Sequence, residues 1–287
     1  MNFSPTNNKL PATVLSIPGD KSISHRSIII GSLSSGQIQI EGFLCSEDCL
    51  NTITVFQELG VKIARNNSSV TIESTGVEGL KEPQKKLNVG NSGTGIRLIA
   101  GVLSALPFNT IISGDHSIQK RPMERIIEPL TLMGAKIESQ SGVPPLKIFG
   151  NQTIQSVNYK MSIASAQVKS AILLAGVTAK VPVKVTEPEY CRDHTERMLQ
   201  LFGVNCSNDS GVISYDGSEL VAPKQLLQIP GDISSALFFI CLAILTNQEV
   251  TFKNIGLNPS RIGCLKVLLK MGAPIKIIES KDTYEPL

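Results

Sequence analysis

No block of like charge appears anywhere in this 287-residue chain, and a formal net charge of +3 with a pI near 8.5 is too mild to hold a nucleic-acid backbone. No apolar run reaches the ~20 residues that a membrane-spanning helix needs. Even ALFFICLAIL, Ala236 to Leu245, falls well short, so such runs are expected in a core. The opening MNFSPTNNKLPATVLS has no basic flank leading into an apolar segment; it reads as neither a signal nor a transit peptide and predicts a cytoplasmic location. The six cysteines lack a metal-site pattern: Cys45 and Cys49 are close, but no second pair or histidine accompanies them. No metal is expected, and the thiols are expected to be reduced and mostly buried. Nucleotide signatures are missing too. GDKS lacks the adjacent Gly-Lys of a P-loop, and VGNSGTGIR spaces its glycines G-x-x-G-x-G rather than in the dinucleotide order.

What is present is an ordinary globular composition, 41% hydrophobic and 18% charged, enough for one large or two smaller domains, and an internal repeat. The stretches TVFQELGVKI, EPLTLMGAKI, RMLQLFGVNC and KVLLKMGAPI end alike, and their glycines, Gly60, Gly134, Gly203 and Gly272, recur roughly every 70 residues. Each predicts an amphipathic helix, a glycine stop in the left-handed conformation, and a short strand. Upstream of each lies a helical stretch with no polar face, SIIIGSL, IRLIAGVLSAL, AQVKSAILLAGV and ISSALFFICLAIL, which predicts burial. Strand-prone runs follow these: IQIEGF, FNTIISG, VPVKVTE and EVTFKNIG. Ile-Pro-Gly-Asp occurs twice, at Ile17–Asp20 and Ile229–Asp232, three repeats apart. A pattern that restarts after three repeats predicts two α/β domains of three repeats each, with the chain crossing near Pro18 and Pro230. The expected domains are residues 18–229, a complete set of three, and residues 1–17 with 230–287, an incomplete set.

Charge and glycine converge where the buried helices begin. PGDKSISHRS places Lys21, Ser22 and Arg26 at a helix start whose free N–H groups and partial positive charge suit an anion. The next repeat offers VGNSGTGIR, with Gly90, Gly93 and Gly95 permitting close backbone approach, and GDHSIQKRPMERI, with Lys120, Arg121 and Arg125. The third opens on SIASAQVKS and continues to CRDHTERM. Any one of these alone is a solvated helix end. Their recurrence at equivalent places predicts one face binding a multiply anionic small molecule.

The segments PGDKSISHR, GNSGTGIR, KRPM, SAQVKSAILLAG and RDHTERML resemble, in order and along the whole chain, the signatures of the 5-enolpyruvylshikimate-3-phosphate synthase family, most closely its bacterial class II wording. The resemblance implies the enolpyruvyl transferase fold, two domains each of three βαβαββ units. It implies transfer of the enolpyruvyl group of phosphoenolpyruvate to the 5-hydroxyl of shikimate 3-phosphate through a tetrahedral ketal phosphate. No cofactor and no metal take part, the partners are the two small substrates, with no nucleic acid and no membrane, and the complete protein is a monomer. Carried over by position, Lys21 would be catalytic and touch both substrates, and Ser22 and Arg26 would hold the ring hydroxyls and carboxylate. Gly93, Arg121 and Gln167 would line the phosphoenolpyruvate pocket, with Asn91 and Thr94 shaping its loop. Ser165, Ala166, Gln167 and Arg192 would hold the 3-phosphate and ring. Position 166 is alanine where many members have serine, and Arg192 is the expected replacement donor. The family's acid–base aspartate and glutamate lie in a fifth and sixth repeat, so the chain is expected to be the N-terminal two-thirds of such an enzyme and inactive alone. Two alternatives remain: a UDP-N-acetylglucosamine enolpyruvyl transferase, disfavoured by Lys-Ser-x-Ser-His-Arg, and a non-catalytic anion-binding fragment.

Overall fold

A computed structural model describes residues 13–278 and 283–287. The chain runs β1 (Thr13–Ser16), α1 (Lys21–Leu33), β2 (Ser35–Glu41), α2 (Glu47–Glu58), β3 (Lys62–Asn66) and β4 (Ser69–Thr75). It continues with β5 (Leu87–Asn88), α3 (Gly93–Leu103), β6 (Thr110–Ser113), α4 (Glu124–Leu132), β7 (Lys136–Gln140) and β8 (Val143–Phe149). A third pass gives β9 (Val157–Lys160), α5 (Ala166–Ala179), β10 (Val183–Thr186), α6 (His194–Leu201), β11 (Cys206–Asp209) and β12 (Val212–Tyr215), and then come β13 (Leu227–Gln228), α7 (Ile233–Thr246), β14 (Val250–Lys253) and α8 (Gly263–Lys270). This is the mixed α/β class that the sequence predicts. The stop glycines Gly60, Gly134, Gly203 and Gly272 have φ of +91°, +99°, +75° and +87°, a region that costs other residues free energy and glycine almost none.

Contacts divide the chain into two compact units: Lys21–Ile229, and the described residues of Met1–Asp20 with Pro230–Leu287. The larger holds three four-stranded sheets, β13-β2-β4-β3, β5-β6-β8-β7 and β9-β10-β12-β11. In each, the first two strands are parallel and the remaining pairings antiparallel. β1 precedes α1 yet pairs with β14, while β13 precedes α7 yet pairs with β2. Each Ile-Pro-Gly-Asp therefore marks a place where the chain passes from one compact unit to the other.

Inside the larger unit α1, α3 and α5 are buried along most of their length, with Ile28, Ile29, Ile30, Ile99, Leu173 and Leu174 fully enclosed. α3 and α5 approach so closely at Gly101 that any side chain there would run into the backbone of Ala171.

In the smaller unit the two Pro-Gly turns face each other. The Asp20 N–H donates to Pro230 O at 2.8 Å and the Asp232 N–H to Pro18 O at 3.0 Å. Arg261 donates to both aspartates, Nη1 to Asp20 at 2.7 Å and Nη2 to Asp232 at 2.8 Å. Arg261 is thus shared by the aspartates of both copies of the motif. Burial in this unit departs from expectation. Of α7 only Ile233 and Ala236 are buried, while Phe238 is 80% and Leu245 84% exposed. Among the described residues, β14 and a small cluster around Ile255 and Leu265 pack against one side of this helix. The strand expected after Gly272 is likewise not formed, and among the described residues no antiparallel partner stands beside it. Of the cysteines, Cys49, Cys191 and Cys206 are buried, Cys241 and Cys264 half-buried, and Cys45 exposed. Half of the thiols therefore escape full burial.

Candidate functional site

Three helix starts meet at one depression of the larger unit, of about 390 Å³, lined by Lys21, Asp48, Asn91, Gly93, Thr94, Arg121 and Gln167. Lys21 is the first residue of α1, Gly93 the first of α3, and Gln167 the second of α5. The free N–H groups and positive ends of three helices therefore face one space. The starts are built by capping: the Ser92 hydroxyl accepts from the Gly95 N–H at 2.9 Å, and the Ser165 hydroxyl from the Val168 N–H at 3.3 Å.

The polar side chains hold one another in place. The Lys21 ammonium pairs with Asp48, which lies in the first turn of α2. Arg121 Nη2 donates to Asn91 Oδ1 at 2.7 Å. Gln167 is fixed at both ends of its amide: Oε1 accepts from Arg97 Nη1 at 3.1 Å and Nε2 donates to Thr94 Oγ1 at 3.0 Å. Arg97 also donates to the Gly93 and Pro122 carbonyls. Burial, then the nearby charges of Arg121 and Arg125, hold the Arg97 pKa below its ordinary value. Among the described residues none of these three arginines is ion-paired with a carboxylate. A Cβ at Gly93 would stand 2.6 Å from Arg121 Nη1 and 3.1 Å from Arg97 Nη1, so a side chain there would make these guanidinium ends move.

Of the residues singled out in the sequence, Lys21, Asn91, Gly93, Thr94, Arg121 and Gln167 come together at the depression. Ser22, Ser165 and Ala166 sit beside it on the same helix starts, half-buried, and Arg192 is exposed just before α6. Arg26 lies deeper, 3% exposed, with Nε donating to Thr195 at 2.6 Å, Nη2 to Ser170 at 2.9 Å and Nη1 to the Ser22 carbonyl at 2.9 Å. It ties α1 to α5 and α6 rather than lining the depression. Sequence reasoning missed Asp48, Arg97 and His25. The ring nitrogens of His25 reach Thr52 at 2.8 Å and the capping Ser92 at 3.3 Å, joining α1, α2 and the start of α3. Arg97 ends the very segment VGNSGTGIR, and its spacing of four from Gly93 on one helix was the available signal.

The depression, lined by Lys21, Arg121 and Asp48 beside Gly93, lies where three buried helices begin in an α/β unit of like sheets. Residues 5–285 match the family model described as EPSP synthase (3-phosphoshikimate 1-carboxyvinyltransferase), and the chain belongs to that family. It is 47% identical over 270 residues to the 3-phosphoshikimate 1-carboxyvinyltransferase of Bacillus subtilis, covering 93% of this chain and 63% of the relative. The enzyme of that name from Shouchella clausii is 48% identical over 270 residues, covering 93% and 62%. Among solved structures, EPSP synthase from Acinetobacter baumannii superposes with a TM-score of 0.90 at 44% identity, over 97% of this chain and 64% of that one. The chain thus spans about 63% of the length of the curated relatives it matches. The matched family and its relatives favour the shikimate reading over a UDP-N-acetylglucosamine enolpyruvyl transferase. No helix among the described residues is long and apolar enough to cross a membrane.

Proposed function

We propose that this chain takes part in transfer of the enolpyruvyl group from phosphoenolpyruvate to the 5-hydroxyl of shikimate 3-phosphate, and that Lys21–Ile229 is the domain that holds the second substrate. The observation that carries the reading is the meeting of three helix starts at a depression lined by Lys21, Arg121 and Gln167, with Arg97 bonded to Gln167 and its pKa lowered by burial and then by the charges of Arg121 and Arg125. Both substrates are polyanions, and guanidinium groups with helix N-termini supply the charge-assisted bonds they need.

In this reading Arg121, Gln167 and the Gly93 backbone receive phosphoenolpyruvate, with Asn91 and Thr94 holding Arg121 and Gln167 in line. Ser165, Ala166, Gln167 and Arg192 hold the 3-phosphate and ring. Ser22 and Arg26 serve the ring hydroxyls and carboxylate, Arg26 from behind the helix start. Lys21 lies between the two ligands and exchanges its Asp48 partner for them. The reaction adds the 5-hydroxyl oxygen to C2 of phosphoenolpyruvate as that hydroxyl gives up its proton and C3 gains one, becoming a methyl group. The resulting ketal phosphate then loses a proton from that methyl group and expels inorganic phosphate. The domain works in the cytoplasm as part of a monomer, on small molecules and without a cofactor. Residues 13–20 and 230–287 belong to the second domain.

The test is a thermal-shift titration of the full chain with shikimate 3-phosphate and with phosphoenolpyruvate. A ligand at 100 times its Kd stabilises the folded state by about 2.7 kcal/mol. The expected result is a rise in melting temperature that Lys21→Met reduces and Lys120→Met leaves in place. A folded wild-type chain whose melting temperature does not move with millimolar shikimate 3-phosphate would overturn the reading.

A further inference from the structure

Beneath the α5 start that carries Ser165 and Gln167 lies an ionic cluster that no step above uses. Lys169 is fully buried, and its ammonium meets Glu187 Oε2 at 2.8 Å and Glu196 Oε1 at 2.6 Å, the two carboxylates being 1% and 5% exposed. One cation between two carboxylates leaves an excess negative charge where water cannot screen it. Burial therefore raises the pKa of Glu196 against the attraction of Lys169. Burial also works to lower that of Lys169, but Glu196 and Glu187 outweigh it and the net direction is upward. Glu187 Oε1 and Glu196 Oε2 accept no hydrogen bond. As a source of stability the cluster is poor, because apolar side chains of the same shape serve a core as well or better.

Its placement is what the molecule gains. Glu187 directly follows β10, Glu196 lies in the first turn of α6, and between them runs the segment from Glu187 to Asp193 that carries Arg192. One ammonium thus binds both ends of this segment to the helix capped by Ser165. A second tie stands beside it, where Ser170, next along α5, meets Thr195 of α6 at 2.6 Å with Arg26 bridging the pair.

We propose that Lys169 is a positioning residue: through Glu187 and Glu196 it holds the Arg192 segment against the start of α5, so that a phosphate monoester lying at Ser165 and Ala166 meets a guanidinium already in place. The inference rests on the reading of that end as the 3-phosphate site. Holding the segment in advance removes its ordering cost from binding, which is where affinity for a small rigid ligand is decided. The cation takes no part in touching the ligand; being enclosed, it acts only through the segment it ties.

The experiment uses the full chain as wild type, as Glu196→Gln, and as the uncharged triple variant Lys169→Met, Glu187→Gln, Glu196→Gln, which keeps the volumes and removes the buried charge. Amide exchange of residues 187–193 is followed together with affinity for shikimate 3-phosphate and for shikimate, which lacks the phosphate. Glu196→Gln keeps an acceptor for Lys169 and is expected to retain segment protection and affinity within about twofold. The triple variant is expected to fold, to lose protection across 187–193, and to bind shikimate 3-phosphate about tenfold or more weakly with shikimate affinity unchanged. A general structural weakening would lower both affinities together, and that result, or a triple variant that binds and protects like wild type, would overturn the proposal. If the wild type binds neither ligand, the site reading has failed, and the exchange of residues 187–193 alone then decides whether Lys169 holds the segment.

Discussion

Replacing Arg261 with methionine removes the one cation shared by both Ile-Pro-Gly-Asp turns and leaves the aspartates in place. The side chains of Arg261, Asp20 and Asp232 are 6%, 5% and 13% exposed, and the bonds lost include 2.7 Å to Asp20, 2.8 Å to Asp232 and 2.8 Å to the Ser234 hydroxyl. Taking one partner from a buried ion pair costs about 3–5 kcal/mol, mostly because the remaining charge has no compensation. Asp232 keeps the Ser234 N–H at 2.9 Å as a helix cap, so the lower end, about 3 kcal/mol, applies here. The assay is native-state hydrogen exchange at the Asp20 and Asp232 amides, whose bonds to Pro230 and Pro18 close the paired turns. About 3 kcal/mol corresponds to exchange roughly a hundredfold faster. Adding Asp20→Asn and Asp232→Asn to Arg261→Met should restore most of the protection, because no buried charge is then left uncompensated. Lys180→Met, which breaks an exposed pair with Glu219, should leave these amides unchanged. Acceleration of less than about threefold in Arg261→Met would refute the view that one guanidinium holds the two turns together.

Gly93→Ala places a methyl group 2.6 Å from Arg121 Nη1; displacing that guanidinium from Asn91 should weaken phosphoenolpyruvate binding about tenfold, near 1.4 kcal/mol, with the melting temperature of the unliganded chain unchanged, as calorimetry and thermal melting will read. Because the folded pKa of Glu196 lies above its ordinary value through burial, the stability it contributes is fully present below the ordinary carboxyl range and is lost as pH rises through the folded pKa. Glu196→Gln should therefore gain on wild type in urea denaturation as pH rises from 5 toward 8, and a difference that stays flat or shrinks would contradict the assignment. The charged and titratable groups around it, Lys169, Glu187, Asp193, Cys191 and Cys206, remain in both proteins, and Cys191 and Cys206, raised by burial to about 11 and about 12, do not titrate in that window. Phe238→Glu and Leu245→Glu, on the uncovered face of α7, should increase solubility without lowering the melting temperature of Lys21–Ile229, as static light scattering and a thermal melt will show.

The helix starts were legible because they follow from local rules repeated along the chain. A glycine stop, an apolar helix and a polar cluster at its beginning recur each time, so Lys21, Gly93 and Gln167 were readable from sequence as equivalent positions, and the structure brings all three to one depression. The supporting charges were not legible. Asp48 and Arg97 face the site from an amphipathic helix and from one turn into a buried one, positions that by pattern alone belong to an ordinary solvated face or a core-facing stripe. Lys169 and Glu196 are harder still, since a lysine inside SAQVKSAILLAG and a glutamate inside HTERMLQL carry no local sign of each other. Their meeting depends on how α5 and α6 pack, which spacing does not encode.

At α7 the apolar pattern predicts burial that the surrounding elements do not provide. ISSALFFICLAIL has the same all-round apolar character as AQVKSAILLAGV, and both form helices of 14 residues. α5 is covered because α3, α4 and its own sheet lie against it. Among the described residues, α7 has β14 and a few residues near Ile255 and Leu265, which is cover for one side of a cylinder. An apolar sequence states what a segment requires, whereas burial is a relation between that segment and the elements around it. At roughly 25 cal/mol for each Å² kept from water, exposed Phe238, Leu242 and Leu245 forgo several kcal/mol that their counterparts in α5 realise. The larger unit is therefore expected to carry most of the chain's stability, and every residue that lines the depression belongs to it.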